Sequence, residues 1–158
     1  MVDISANKIK FVKFDRIFLE KSYEWVTTEP VKTLIDAQYI TKEQQIEWYN
    51  KLEGRTDYFI EGIKYKLQPI GVWGLKKITT ENAEYFGYIG EVEFWGKGIG
   101  NLLLKRAIEK AHQFRLKTLY LHVVKFNERA IRLYHRFDFQ ECPEKSNEKS
   151  LYMELKTE

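Results

Sequence analysis

The run "WGKGIG", residues 95–100, sets glycine at three alternate positions directly ahead of an apolar, charge-flecked stretch. Glycine is unfavourable inside a helix and is used where backbone must turn left-handed or come close to a partner. A strand that ends in such a turn and continues as a helix offers unpaired N–H groups at the positive end of the helix dipole. That is an anion site. Spacing separates the phosphate motifs. A dinucleotide fingerprint starting at Gly96 would need glycine where Asn101 stands, and neither G-x-x-x-x-G-K-[ST] nor the kinase signature set is present. Two carboxylates able to move protons, Glu84 and Glu91, lie on the strand-like run just upstream. His112, His122 and His135 share no metal-ligand spacing and read as structural or surface positions, so no metal is expected. Cys142 has no neighbouring motif for a nucleophile, which argues against a covalent intermediate at that residue.

Those residues need elements to hold them. "KIKFVKF" (8–14) alternates as a strand, with Asp15 placed to cap the helix after it. Thr41 and Gln44 stand in capping-box spacing ahead of a helix over 41–52. Runs 57–65, 70–78 and 83–91 read as strands separated by "KLQP" and "TTEN", hence an antiparallel meander. From 97 to 113, Ile99, Leu102, Leu103, Ala107 and Ile108 mark an amphipathic helix. A strand at 117–124, a helix at 127–137 capped by Asn127 and a strand at 150–155 complete the chain. Strand 117–124 lies parallel to its predecessor if the long helix is a crossover. The expected fold is α+β: a mixed, mostly antiparallel central sheet flanked by helices on both faces.

The 158 residues, 44% hydrophobic with ten Phe and ten Tyr, suit one folded domain over the whole length. No repeat or linker divides it. Net charge +3 arises from 26 basic and 23 acidic residues spread along the chain, which is a solvated mixed surface and argues against nucleic acid as a partner. No apolar run approaches membrane-spanning length and the N-terminus lacks a signal core. A single cysteine excludes an intramolecular disulfide, and a cytoplasmic location is expected.

The remaining phosphate pattern, x-x-x-G-x-G/A after an antiparallel meander, is the pyrophosphate turn of acetyl-coenzyme A acyltransferases. "GYIGEVEFWGKGIGNLLLKRAIEKA" and "LYLHVVKFNERAIRLYHRFDF" together resemble the GCN5-related N-acetyltransferases. The second carries the family's N-x-x-A-x-x-L-Y-x-x-x-G-F signature on Asn127, Ala130, Leu133, Tyr134 and Phe139. The chain departs from that pattern twice. Trp95 replaces the leading Gln or Arg, as in the branch of ribosomal-protein alanine acetyltransferases, and Asp138 stands for the late glycine.

The resemblance implies an acyl-CoA N-acyltransferase fold and acetyl-CoA as cosubstrate. Backbone N–H groups of Gly96, Lys97, Gly98, Ile99, Gly100 and Asn101, beside Trp95, would grip the pyrophosphate. Ile89, Gly90 and Glu91 would pair with the pantetheine as an added strand, with Asn127 facing it. Strand glycines Gly87 and Gly90 suit a bulge or splay there. Tyr134 would be the general acid for the leaving thiolate, since a phenol with pKa about 10 keeps its proton at neutral pH. Glu84 or Glu91 is the candidate base. The acceptor is expected across the sheet, near Arg55, Lys76, Lys77 and Tyr88. "PIGVWGLKKIT" followed by "GYIG" leans toward the branch that acetylates nucleotide-linked amino-sugars, as in pseudaminic acid biosynthesis. The alternatives are a protein N-terminal amine, as on ribosomal proteins, and a non-catalytic acetyl-CoA-binding module. A monomer or homodimer is expected.

Overall fold

Asp15 ends the first strand and opens the first helix in one step: its side chain accepts from the Phe18 N–H at 3.2 Å. The computed structural model describes residues 5–158. Strand β1 (Ile9–Lys13) leads into α1 (Arg16–Val26), the short α2 (Val31–Leu34) and α3 (Lys42–Leu52). The capping box at the start of α3 forms as read, with Thr41 and Gln44 each satisfying the other's backbone N–H. The meander follows as β2 (Tyr58–Tyr65), β3 (Gln68–Lys76) and β4 (Asn82–Ile89). Then come α4 (Ile99–Gln113), β5 (Thr118–Val124), α5 (Glu128–Arg136), β6 (Gln140–Glu141) and β7 (Ser150–Lys156).

The seven strands form one sheet in the order β1-β2-β3-β4-β5-β7-β6. Every pair is antiparallel except β4–β5, which α4 joins as a crossover. The fold is thus the mixed α+β sandwich that the element order implies. Two differences stand out. Gln68 and Pro69 belong to β3, because the chain reverses tightly at Lys66 and Leu67; Pro69 is tolerated where the β2–β3 register slips beside Lys64. The short β6, pairing along the edge of β7, and the short α2 carry too few residues for a periodicity to show.

Each face of the sheet has its own core. On one, α1 and α2 bury Phe18, Trp25 and Val31 against Val72, with Trp48 and Phe86 at the margin. On the other, α4 buries Ile99, Leu103, Leu104, Ala107 and Ala111 against Trp73, Leu75, Leu119 and Leu121. Leu102 and Ile108 sit at the edge of that stripe. Leu104 is fully buried; at roughly 1.5–3 kcal/mol for such a side chain, the stripe fixes how α4 lies and where its N-terminus points.

After α5 the chain turns through Asp138, which adopts φ 69°, and the Phe139 N–H returns to the Tyr134 carbonyl at 3.1 Å. This is the left-handed helix stop that glycine usually supplies. Asp138→Gly should therefore raise stability by about 0.5–1 kcal/mol, read as a higher urea midpoint. A lower midpoint would mean that the aspartate side chain itself holds the turn.

Candidate active site

Strands β4 and β5 pair only over Asn82↔Thr118, Ala83↔Leu119 and Glu84↔Tyr120. Beyond Glu84, β4 stays on β3 and β5 stays on β7, so the middle of the sheet opens as a wedge. A cavity of about 650 Å³ fills it. Its walls are Tyr85, Gly87 and Ile89 on β4, Asn127, Leu133 and Tyr134 on α5, and the glycine turn, with Val31, Leu34 and Ile35 from α2 as a cap.

Pairing on β4 alternates sides. The Gly90 N–H donates to the Ile70 carbonyl at 2.8 Å, and the Glu91 N–H reaches the same oxygen at 3.3 Å. Alternation then turns the backbone of Ile89 and Gly87 toward the wedge. An extended ligand would pair there, which moves the expectation for Gly90 and Glu91 to Ile89 and Gly87. Strand β4 carries no bulge at Gly87, which pairs in register with Trp73. At Gly90 the expected bulge does form, since its N–H and that of Glu91 share the Ile70 carbonyl, and the Trp25 indole leaves no room there for a Cβ.

The glycine turn divides its work. Gly96 and Gly98 have φ of 72° and 81°, with Gly98 as the residue before α4. Gly100 is different: a Cβ there would lie 2.6 Å from Leu133 Cδ2, so its absence lets α4 close on α5. The N–H groups of Ile99 and Gly100 open the helix without intrahelical partners. That of Asn101 is engaged, donating to the Gly98 carbonyl at 3.2 Å, and the Asn101 side chain donates to the same carbonyl at 3.3 Å. Trp95 Nε1 donates to the Ile89 carbonyl at 2.7 Å, tying the turn to the end of β4. Lys97 does not line the cavity. The cation beside the turn is Arg129, whose Nη1 would lie 3.8 Å from a Cβ at Gly96; Arg132 and Arg136 follow it along α5 on the cavity wall. Sequence reading passed over these three. Their signal was an i, i+3, i+7 spacing on the helix that follows the wedge.

Tyr134 stands inside the wedge, edge-on to Tyr85 with ring centres 6.3 Å apart and packed on Phe139. Burial pushes its pKa up to about 12, so the phenol keeps its proton. Burial raises the Tyr85 and Tyr88 phenols as well. Asn127 caps α5 by accepting from the Ala130 N–H at 3.3 Å while lining the cavity.

The two candidate carboxylates part company. Glu91 is committed: Trp25 Nε1 donates to it at 2.7 Å and Gln68 Nε2 at 3.5 Å, which binds α1 to the turn after β4. Glu84 is buried at the apex of the wedge, on the face opposite α4. Lys76 Nζ stands 3.7 Å and His122 Nδ1 3.3 Å from its Oε2, and Lys77 Nζ is 3.5 Å from its Oε1. Oε1 makes no hydrogen bond, and among the described residues it is the one buried side-chain polar atom in that condition. A buried carboxylate oxygen that accepts no hydrogen bond, with Lys77 Nζ as its nearest cation, keeps a lone pair for a proton donor.

The basic residues expected at the acceptor side converge, though each has an internal partner. Arg55 forms a two-point pair with Asp57 at 2.9 Å and lies over the Tyr58 ring. Tyr58 packs on Phe86, which Lys76 also covers. Tyr88, edge-on to Trp25, forms the cavity wall on this side.

Sequence comparison places this open seam, with its anion turn and buried phenol, in a known family. The acetyltransferase (GNAT) family matches residues 19–139. The chain belongs to the GNAT family. As a GNAT enzyme it is an acetyl-CoA-dependent N-acetyltransferase. It is similar to acetyltransferase PseH of Campylobacter jejuni, 26% identical over 132 residues, or 82% of this chain and 81% of PseH. In fold it resembles the crystal structure of Campylobacter jejuni N-acetyltransferase PseH with acetyl coenzyme A, at TM-score 0.73 and 22% identity over 95% and 99% of the two chains. It also resembles spermidine N-acetyltransferase from Vibrio cholerae with CoA and spermine, at TM-score 0.77 and 21% identity over 96% of each chain. The wedge and turn of this GNAT chain suit acetyl-CoA: the Gly87 backbone and the Ile89 N–H for the pantetheine amides, with the Ile89 carbonyl already taken by Trp95, and unpaired helix N–H groups and Arg129 for phosphate. Among the described residues no helix is long and apolar enough to cross a membrane.

Proposed function

We propose that this enzyme acetylates the primary amine of a nucleotide-linked amino-sugar, drawing on cytoplasmic acetyl-CoA. The observation that carries the reading is Glu84, a buried carboxylate at the last β4–β5 pair whose Oε1 accepts no hydrogen bond. It stands on the face opposite the one that holds α4. An ammonium group arriving there meets a base, and its lone pair then faces the thioester carbon held in the wedge. The C–N bond forms, the C–S bond breaks, and Tyr134 gives its proton to the departing sulfur. Ile89 and Gly87 hold the pantetheine, and Gly96, Gly98, Ile99 and Gly100 with Arg129 hold the pyrophosphate.

Likeness to PseH and the patch of Lys76, Lys77, Arg55 and Tyr58 support an acceptor that is both anionic and ring-shaped. Cations already paired with carboxylates can exchange them for a diphosphate, which offers more acceptor oxygens. The test is side-by-side turnover of a UDP-linked amino-sugar, a ribosomal-protein N-terminal peptide and spermidine. The sugar nucleotide should show the highest kcat/KM, and its KM should rise with salt more than that of an uncharged amine. Turnover confined to the peptide or to spermidine would overturn the acceptor while leaving acetyl transfer in place.

A further inference from the structure

A base that takes a proton in each turnover must lose it before the next, and Glu84 is poorly placed to do so alone. Its side chain is 9% exposed. The groups that face it come from four strands. Lys76 and Lys77, at and just beyond the end of β3, are ammonium donors with no lone pair to accept. Tyr58 on β2, Tyr120 on β5 and Tyr152 on β7 feel its charge, but their phenols are held protonated by burial, those of Tyr58 and Tyr152 up to about 12. That leaves His122.

His122 lies on β5 two residues past the last β4–β5 pair, on the same face as Glu84. Its Nδ1 is 3.3 Å from Glu84 Oε2, and its side chain is 44% exposed. One edge of the imidazole touches the buried carboxylate while the ring itself reaches water. Tyr120 and Tyr152 stack on each other at 5.3 Å and both meet the imidazole edge-on, which fixes the ring in this bridging position.

We propose that His122 is the proton exit of the acetyl-transfer reaction, an inference that rests on Glu84 being the base. The amine's proton passes to Glu84 Oε1. A half-turn of the carboxyl about its terminal torsion, which is soft for Glu, carries that proton to the His122 side. Nδ1 of the neutral imidazole accepts it as the carboxylate regains its charge, Nε2–H releases a proton to water, and the ring, now the other neutral tautomer, regains the first by exchanging protons with water before the next turnover. One proton enters at Oε1 and one leaves at Nε2.

His122→Asn retains a polar group near the Nδ1 position but cannot carry a proton through. With the fastest amine of the panel above, its kcat should fall at least about tenfold, while CoA affinity and the amine KM stay within about twofold. Added imidazole, at about 50 mM, should restore turnover in step with its unprotonated fraction, and His122→Gln should behave alike. Wild-type kcat in both variants, beside an inactive Glu84→Gln, would overturn the relay and leave the base standing. Slow variants that imidazole does not rescue would reduce His122 to a prop for the carboxylate. An active Glu84→Gln would overturn base and relay together.

Discussion

Tyr134→Phe is expected to lower kcat by about 10²-fold while CoA affinity stays within about twofold of wild type. The phenol is the one acidic hydrogen on α5 inside the wedge, where a departing thiolate needs a proton; thiols have pKa about 8.5, and thiolate is a poor leaving group in an apolar site. Phe keeps the packing against Tyr85 and Phe139, so the fold should not respond. The sign of the pH dependence follows from burial. With its pKa pushed up to about 12, Tyr134 remains protonated from pH 7 to 10 and imposes no alkaline fall in kcat over that span. Single-turnover mixing, where chemistry sets the rate, is the measurement. A Phe variant with wild-type turnover would reduce Tyr134 to packing.

Gly98→Val should weaken CoA binding by tenfold or more in a protein that still folds. The nearest atom to a Cβ at this position is Asn101 Nδ2 at 3.7 Å, so the Cβ itself meets no clash. The cost comes from backbone. At φ 81° an L-residue loses about 1–2 kcal/mol, and a β-branched one more. A turn that relaxes out of that conformation swings the Ile99 and Gly100 N–H groups off the phosphate, and each 1.4 kcal/mol so lost is about tenfold in Kd. Calorimetric titration with CoA reads it directly. Unchanged affinity in folded protein would remove the pyrophosphate assignment.

Local features of this chain were legible wherever they depend on neighbours in sequence. The Asp15 and Asn127 caps, the Thr41–Gln44 box and the left-handed turn at Asp138 all require only a few adjacent residues. The glycine turn was legible for the same reason. What escaped depends on register between strands far apart in sequence. His122 reads as a surface histidine until β5 is set against β4 with Glu84 opposite Tyr120, and nothing along the chain fixes that pairing. Glu84 and Glu91 looked equivalent as strand carboxylates. Trp25, 66 residues from Glu91, distinguishes them by taking one of the two. Gly90 invited a bulge by composition, and with Glu91 it forms one on the Ile70 carbonyl; the Trp25 indole that excludes a Cβ there was not legible. Lys76 and Lys77 read as free cations because their acidic partner lies across a strand pair rather than beside them.

The three-residue seam between β4 and β5 also bears on how the molecule endures. A sheet interior normally gains cooperativity because each strand is clamped from both sides; here the two halves of the ladder share one short clasp. On the proposed placement, an acyl donor along β4 would act as a removable eighth strand, and its chemical potential would enter the unfolding equilibrium itself. At a hundredfold excess over Kd, that linkage is worth about 2.7 kcal/mol. The lifetime of the enzyme in a cell would then be tied to the supply of the metabolite it consumes.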